Sequence, residues 1–204
     1  TIAVLAIFGA ALFYGDGVIT PAQTVLGAVE GVKVVEPSLV RWVVPISVAI
    51  LLLLFYVQKR GTAGIGAVFG PVMCVWFVVI ALLGLHYILR EPQVLAALDP
   101  VHAVRFFVSH GIIAFVALGG VVLAVTGCEA LYADMGHFGA RPIRMAWLVF
   151  VLPALLLNYF GQGALLLADP SAVSNPFYLL APRVLLVPMI LLAAVAAVIA
   201  SQAV

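Results

Sequence analysis

The chain has 204 residues, 66% of them apolar and only 8% charged, with nine Lys and Arg against eight Asp and Glu and a mean hydropathy of +1.31. A soluble domain carries about 25% charged residues, so this chain has too little polar surface to be solvated by water and is solvated by lipid. A net charge of +1 offers no electrostatic grip on nucleic acid, and the scarcity of polar sequence excludes intrinsic disorder.

A membrane-crossing helix needs about 20 mostly apolar residues. Six segments qualify in chain order: A (2–30), B (42–57), C (65–89), D (111–135), E (143–167) and F (183–204). Their Leu, Val, Ala and Ile runs do not alternate as barrel strands would. The expected fold class is therefore all-α, a polytopic membrane helix bundle forming a single transmembrane domain. The chain opens on Thr1-Ile2-Ala3-Val4-Leu5, with no Met and no basic leader, and closes on an apolar run. Both ends read as cut, and we expect an internal piece of a longer membrane protein. Cys74 and Cys128 lie in apolar stretches and make no disulfide framework. Asn175, followed by Pro176, makes no glycosylation signal.

Orientation follows from Lys and Arg in short connections. The B–C and D–E connections carry Lys59, Arg60, Arg141 and Arg144 with no acid among them, whereas the others are offset by Glu36, Glu91, Asp99 and Asp169. This places B–C and D–E in the cytoplasm, with segment A starting inside.

A carboxylate at the bilayer centre costs about 2.5–3.5 kcal/mol on insertion scales and so faces a cavity or a partner. Asp16 in A and Glu129 in D lie well inside apolar segments, and Asp134 lies further along D. Thr20 and Thr24 follow Asp16 by one and two helical turns, giving an oxygen stripe on one face. Pro21 frees a carbonyl one turn earlier, and Gly15 and Gly17 leave room for another backbone. Thr126 and Glu129 share a face of D, with Gly127 between them as a break point of the kind that opens carbonyls to cations. The bland readings are a cross-helix hydrogen bond for Asp16, back-bonding of each threonine to its own helix, and ordinary small-residue packing at Gly127. In E, Asn158 and Gln162 read first as interhelical glue, and His137 reads as a turn residue. Gly66 with Gly70, and Gly27 with Gly31, make small-residue faces. Carboxylates, hydroxyls and carbonyls are hard donors that suit a hard cation. The residues alone therefore point to a cation-handling transporter or channel.

Three stretches closely resemble the KUP/HAK/KT potassium-uptake permeases: Tyr14 to Ala22 (YGDGVITPA), Glu129 to Gly139 (EALYADMGHFG) and Asn158 to Leu166 (NYFGQGALL). The ending Ala200 to Val204 is also similar, and the resemblance covers essentially the whole chain. It implies a LeuT-like fold of the amino acid–polyamine–organocation type, with inverted five-helix repeats, in which A to F are the third to eighth spans. The first two spans, the later spans and a cytoplasmic C-terminal domain then lie outside the chain. The implied function is secondary uptake of potassium across the plasma membrane, as K+/H+ symport by alternating access. No enzyme activity and no cofactor are implied; potassium, protons and the lipid bilayer are the partners, and a homodimer is an open arrangement for the full-length protein. Carried over by the resemblance, Asp16, Thr20, Thr24, Thr126 and Glu129 hold potassium. Glu129, Asp16 and Asp134 are the candidates for proton coupling, with Glu129 favoured because it adjoins the expected break.

Rival readings are a potassium channel subunit, an amino acid permease of the same fold, and a purely structural subunit. No Thr-Val-Gly-Tyr-Gly-like filter loop is present. A permease would need donors for a substrate carboxylate in a first broken helix outside this chain. Two intramembrane acids argue against a structural subunit. If the site is real, segments A and D are expected to be neighbours around a polar centre.

Overall fold

The computed structural model describes residues 2–58, 66–124, 135, 136 and 138–201, and every regular element among them is helical. We number the main helices α1 (Ile2–Val29), α2 (Val40–Gln58), α3 (Gly66–Arg90), α4 (Pro100–His110), α5 (Ile112–Ala124), α6 (Ala140–Ala168) and α7 (Arg183–Ser201). Among the described residues, five helices are long and apolar enough to cross a membrane; they lie on α1, α2, α3, α6 and α7. At most 33% of the most apolar stretch of any of them is buried. The apolar faces that remain outward match a multi-pass membrane protein solvated by lipid. Of the stretch 111–135, residues 125–134 lie outside the described residues, and Ile112–Ala124 form the shorter apolar helix α5.

Prolines stand inside four of these helices, at Pro21, Pro45, Pro71 and Pro188, and none ends its helix. In lipid a broken helix would leave backbone groups with no water to satisfy them, so the helix persists around the missing donor. Pro153 has a different effect. It cannot donate to the carbonyl one turn back, and the turn before it, Trp147–Val151, widens to a π-helical turn within α6. The interruption expected from sequence in D, at Gly127, lies outside the described residues.

The described residues form two compact units, residues 1–79 with 174–204 and residues 80–173. In the first, α1 packs along α7 and against α2. The buried side chains recur at helical spacing: Val25, Ala28 and Val29 on α1, and Leu186, Met189, Ile190, Ala193, Ala196 and Ala197 on α7. This is one apolar stripe per helix, with small residues on α7 that let α1 come near. The two buried serines of this unit bond to their own helices: Ser47 Oγ donates to the Val43 carbonyl at 2.8 Å and Ser201 Oγ to the Ala197 carbonyl at 2.7 Å.

In the second unit the end of α3 meets α6 through glycines. A β-carbon on Gly84 would overlap the Leu157 backbone, and one on Gly161 would overlap Gly84 itself. Only glycine permits this approach of two backbones. Beside it, Ile88, Val94 and Ala164 form a buried cluster, flanked by Tyr87, Leu157 and Phe160. The small-residue faces read from sequence lie elsewhere. Gly15, Gly27 and Gly70 have open space where a β-carbon would stand, and Gly31 meets side chains, with the Tyr178 ring 2.6 Å from that point. Gly15 meets no other element among the described residues, so the close approach expected of it is not seen there.

The connections also carry more structure than turn residues suggest. The stretch 90–110, expected to be a loop, holds a 3-10 helix, Pro92–Leu98, followed by α4. Asp99 caps α4 by accepting from the Val101 N–H at 3.0 Å, with Pro100 at the first helical position. Asp169 ends α6 and accepts from both the hydroxyl and the N–H of Ser171. These two hydrogen bonds, the hydroxyl's first, hold its carboxyl below the usual range.

Candidate functional site

Asp16, Thr20 and Thr24 all stand on α1, which runs unbroken from Ile2 to Val29. Four-residue steps place them one above another, about 6 Å apart along the axis. The side chain of Asp16 lies outside the described residues. Thr24 is half-buried, and its hydroxyl donates to the Thr20 carbonyl at 2.7 Å. This is the back-bonded geometry that threonine commonly adopts in membrane helices. It is compatible with ligation, because a hydroxyl has one donor and two acceptor lone pairs. With the proton committed to the helix, the oxygen offers only acceptors outward, which is what a cation requires. Pro21, buried between the two threonines, has no N–H for the Gly17 carbonyl.

Thr24 lines a cavity of about 250 Å³ together with Gly27, Ala28, Met73, Trp76 and Tyr178, and the small side chains of α7 form the far wall. The hydroxyls of Thr24 and Tyr178 among methyls and rings are too few oxygens to replace the hydration shell of a potassium ion. Within the described residues the α1 stripe is part of a site. The other part expected from sequence, Thr126 and Glu129 with Asp134 nearby, lies outside the described residues, as does His137. Their geometry relative to Asp16, and the expected adjacency of A and D, therefore stand as proposals. No cluster of three or more His, Cys, Asp or Glu that would hold a metal occurs among the described residues.

Sequence reading missed Tyr178. It is buried, and its hydroxyl donates to the Ala28 carbonyl at 2.6 Å, one turn beyond Thr24 on α1. Burial pushes its phenol above the ordinary value, and the negative Glu30 adds to the effect. Glu30 pairs with Lys33. The aromatic wall continues through Phe177, edge-on to Tyr178 at 5.0 Å and 5.8 Å from Trp76. One signal for this feature was present in the sequence. Asn175 before Pro176 makes a helix start, and the Asn175 side chain accepts from the Tyr178 N–H at 3.3 Å.

Asn158 and Gln162 meet each other rather than another helix. Gln162 Nε2 donates to Asn158 Oδ1 at 2.7 Å on the same face of α6. Asn158 is 3% exposed, and its Nδ2 has no partner among the described residues. The expected glue between helices is thus a ladder within one helix. The Gly84 crossing brings backbone, not a polar side chain, against this part of α6.

The sequence profile of the K+ potassium transporter integral membrane domain matches the chain over residues 1–204. The chain belongs to that family. Among curated relatives of this potassium transporter domain is the protein named "Probable potassium transport system protein Kup" of Acidiphilium cryptum. It is 62% identical over 203 residues, which cover 100% of this chain and 32% of that protein. "Probable potassium transport system protein Kup 3" of Dechloromonas aromatica is 62% identical over 200 residues, 98% of this chain and 32% of its own. "Probable potassium transport system protein Kup 1" of Ralstonia nicotianae is 58% identical over 204 residues, 100% and 33%. The chain spans about a third of the length of these relatives. No solved structure matches it.

Proposed function

We propose that this domain is part of a secondary transporter that takes up potassium across the plasma membrane. The observation that carries the reading is the match of the whole chain to the potassium transporter family, together with relatives named for potassium transport. The α1 stripe supplies a chemical counterpart, with oxygen ligands at one-turn spacing in a lipid-solvated helix. A channel-like subunit and an amino acid permease are less favoured readings, since neither has a motif here to support it.

In this reading A to F are the third to eighth spans of a LeuT-like inverted-repeat fold, and the B–C and D–E connections face the cytoplasm. Asp16, Thr20, Thr24, Thr126 and Glu129 hold the ion, with the remaining ligands supplied by spans outside the chain. Transport is K+/H+ symport by alternating access. A desolvated carboxylate holds its proton more tightly, and an arriving cation loosens it. Glu129 is the carboxylate that trades the two, Asp16 is the more permanent anion, and Asp134 is the rival carrier. A homodimer is the proposed assembly of the full-length protein.

The test is growth on limiting potassium of cells lacking other uptake systems and carrying the full-length protein. Rescue supports the reading, and failure of a well-expressed protein to rescue overturns it. Rubidium competes strongly with potassium for uptake and sodium weakly; equal competition by both speaks against oxygen ligands fitted to potassium.

A further inference from the structure

The connection from α3 to α5 is anchored at both ends. At its start, Val94 of the 3-10 helix Pro92–Leu98 is buried with Ile88 and Ala164. Ile88 lies in the last turn of α3, whose apolar span ends at Arg90. At the far end, α4 stops one residue before the apolar helix α5. Gly111 makes the break, with φ of +44° and ψ of −107°. A residue with a β-carbon rarely adopts such a backbone. The Gly111 N–H closes α4 on the Phe107 carbonyl at 3.1 Å, and its own carbonyl opens α5 by accepting from the Phe115 N–H at 3.1 Å. Consecutive apolar helices leave and re-enter the membrane on the same side, so the connection begins at Arg90 and ends at Gly111 at the level of one membrane edge. Eleven residues make a rod about 16 Å long, tied to that edge at one end by Gly111 and at the other, through the 3-10 helix, by Val94, which places it to lie along the edge.

The faces of that rod differ. At 100° per residue, Val101, Val104, Phe107 and Val108 fall on one side, and His102, Arg105 and Ser109 on the other, with Phe106 at the edge of that second side. No residue of α4 is buried, and Val104 and Val108 are 62% and 82% exposed. Ser109 bonds back to the Arg105 carbonyl and to His110, whose ring stacks on Phe106. Among the described residues Arg105 has no carboxylate partner. An outward valine and phenylalanine ridge beside an unpaired guanidinium suits one environment, the boundary between acyl chains and anionic headgroups.

We propose that α4 lies in the membrane–water interface, with Val101, Val104, Phe107 and Val108 in the acyl boundary and Arg105 bound to the phosphate of an anionic lipid. The test uses the full-length protein with every native cysteine, Cys74 and Cys128 among them, replaced by Ser. Single spin labels are placed at positions 102, 104, 108 and 109, in nanodiscs of phosphatidylcholine with phosphatidylglycerol. Labels at 104 and 108 are expected to collide more with dissolved oxygen than with a water-soluble nickel chelate, and those at 102 and 109 the reverse. Equal nickel access at all four sites overturns the proposal, because the helix is then in water. Protection of all four from both agents also overturns it, because protein then covers the helix. Arg105→Gln is expected to lower the phosphatidylglycerol retained through detergent washing about fivefold, the worth of one basic residue at an anionic surface, and Arg105→Lys to preserve it. Unchanged retention in Arg105→Gln overturns the headgroup contact.

Discussion

The two compact units meet the same constraint in different ways. In the unit built on α1, α2 and α7, the serine and threonine hydroxyls of Thr24, Ser47 and Ser201 are satisfied on their own helices, by Thr20, Val43 and Ala197, and the Tyr178 hydroxyl alone of these four crosses to another element, at the Ala28 carbonyl. The helices there are spaced by side chains, including the Tyr178 ring against Gly31, and a cavity remains beside Thr24. In the unit of residues 80–173, backbone meets backbone at Gly84 and Gly161, and the buried amide of Asn158 is only half satisfied. Hydroxyls fit the ladder of their own helix at little cost, whereas an amide has two donors and an acceptor to place. Side-chain spacing leaves room for a ligand, and glycine spacing leaves none.

The largest expected effects test the division of labour proposed for the site. Asp16 is proposed as the permanent anion and Glu129 as the proton exchanger. In full-length protein, Asp16→Asn weakens apparent potassium affinity at every pH by about 10- to 100-fold, the worth of a charged ligand. Glu129→Gln flattens the pH dependence of uptake. Uptake that still varies with pH in Glu129→Gln moves the proton role to another carboxylate, Asp134 first.

Packing comes next. Gly161→Leu forces apart two backbones that already touch and is expected to cost about 3 kcal/mol or more, read as loss of thermal stability in detergent. Gly15→Ala, with open space around it, is expected to be near neutral. If Gly15→Ala proves as damaging as Gly161→Leu, a span beyond this chain packs against α1 there, and the contrast between the units narrows.

Smaller effects come from the polar groups. Gln162→Leu strands the Asn158 carbonyl as well as its amide and costs about 1–3 kcal/mol. Asn158→Leu removes the orphan amide along with the bond and costs less, although the pair is the same. Equal losses from both would mean that Asn158 has an unseen acceptor. Tyr178→Phe loses one buried hydrogen bond, about 1 kcal/mol. It also removes a pH effect of known sign. The phenol is raised in the folded protein, so its contribution is full below the ordinary value of about 10 and is lost as pH rises past it. Alkaline destabilisation should therefore begin near pH 10 in the parent and be weaker in Tyr178→Phe. Thr24→Val is expected to leave stability within about 0.5 kcal/mol while weakening potassium affinity. A valine variant with unchanged affinity would leave Thr24 only its back-bonded role.

Much of this protein is set by composition alone. A chain with 8% charged residues has lipid as its only compatible solvent, and in lipid a backbone without barrel alternation must be helical. The stripe Asp16, Thr20, Thr24 follows from one periodicity on one continuous helix. The family was also legible, because its motifs are strings of adjacent residues. Tertiary structure decided what depends on the facing element. Glycine spacing within a helix says that a close approach is allowed, but the partner decides where it happens: among the described residues at Gly84 and Gly161, and not at Gly15 or Gly27. Nor does sequence show that Tyr178 reaches the Ala28 carbonyl, 150 residues away along the chain, or that Asn158 and Gln162 bond along their own helix. Position in sequence fixes the direction of a side chain on its helix, and only the fold supplies what lies in that direction.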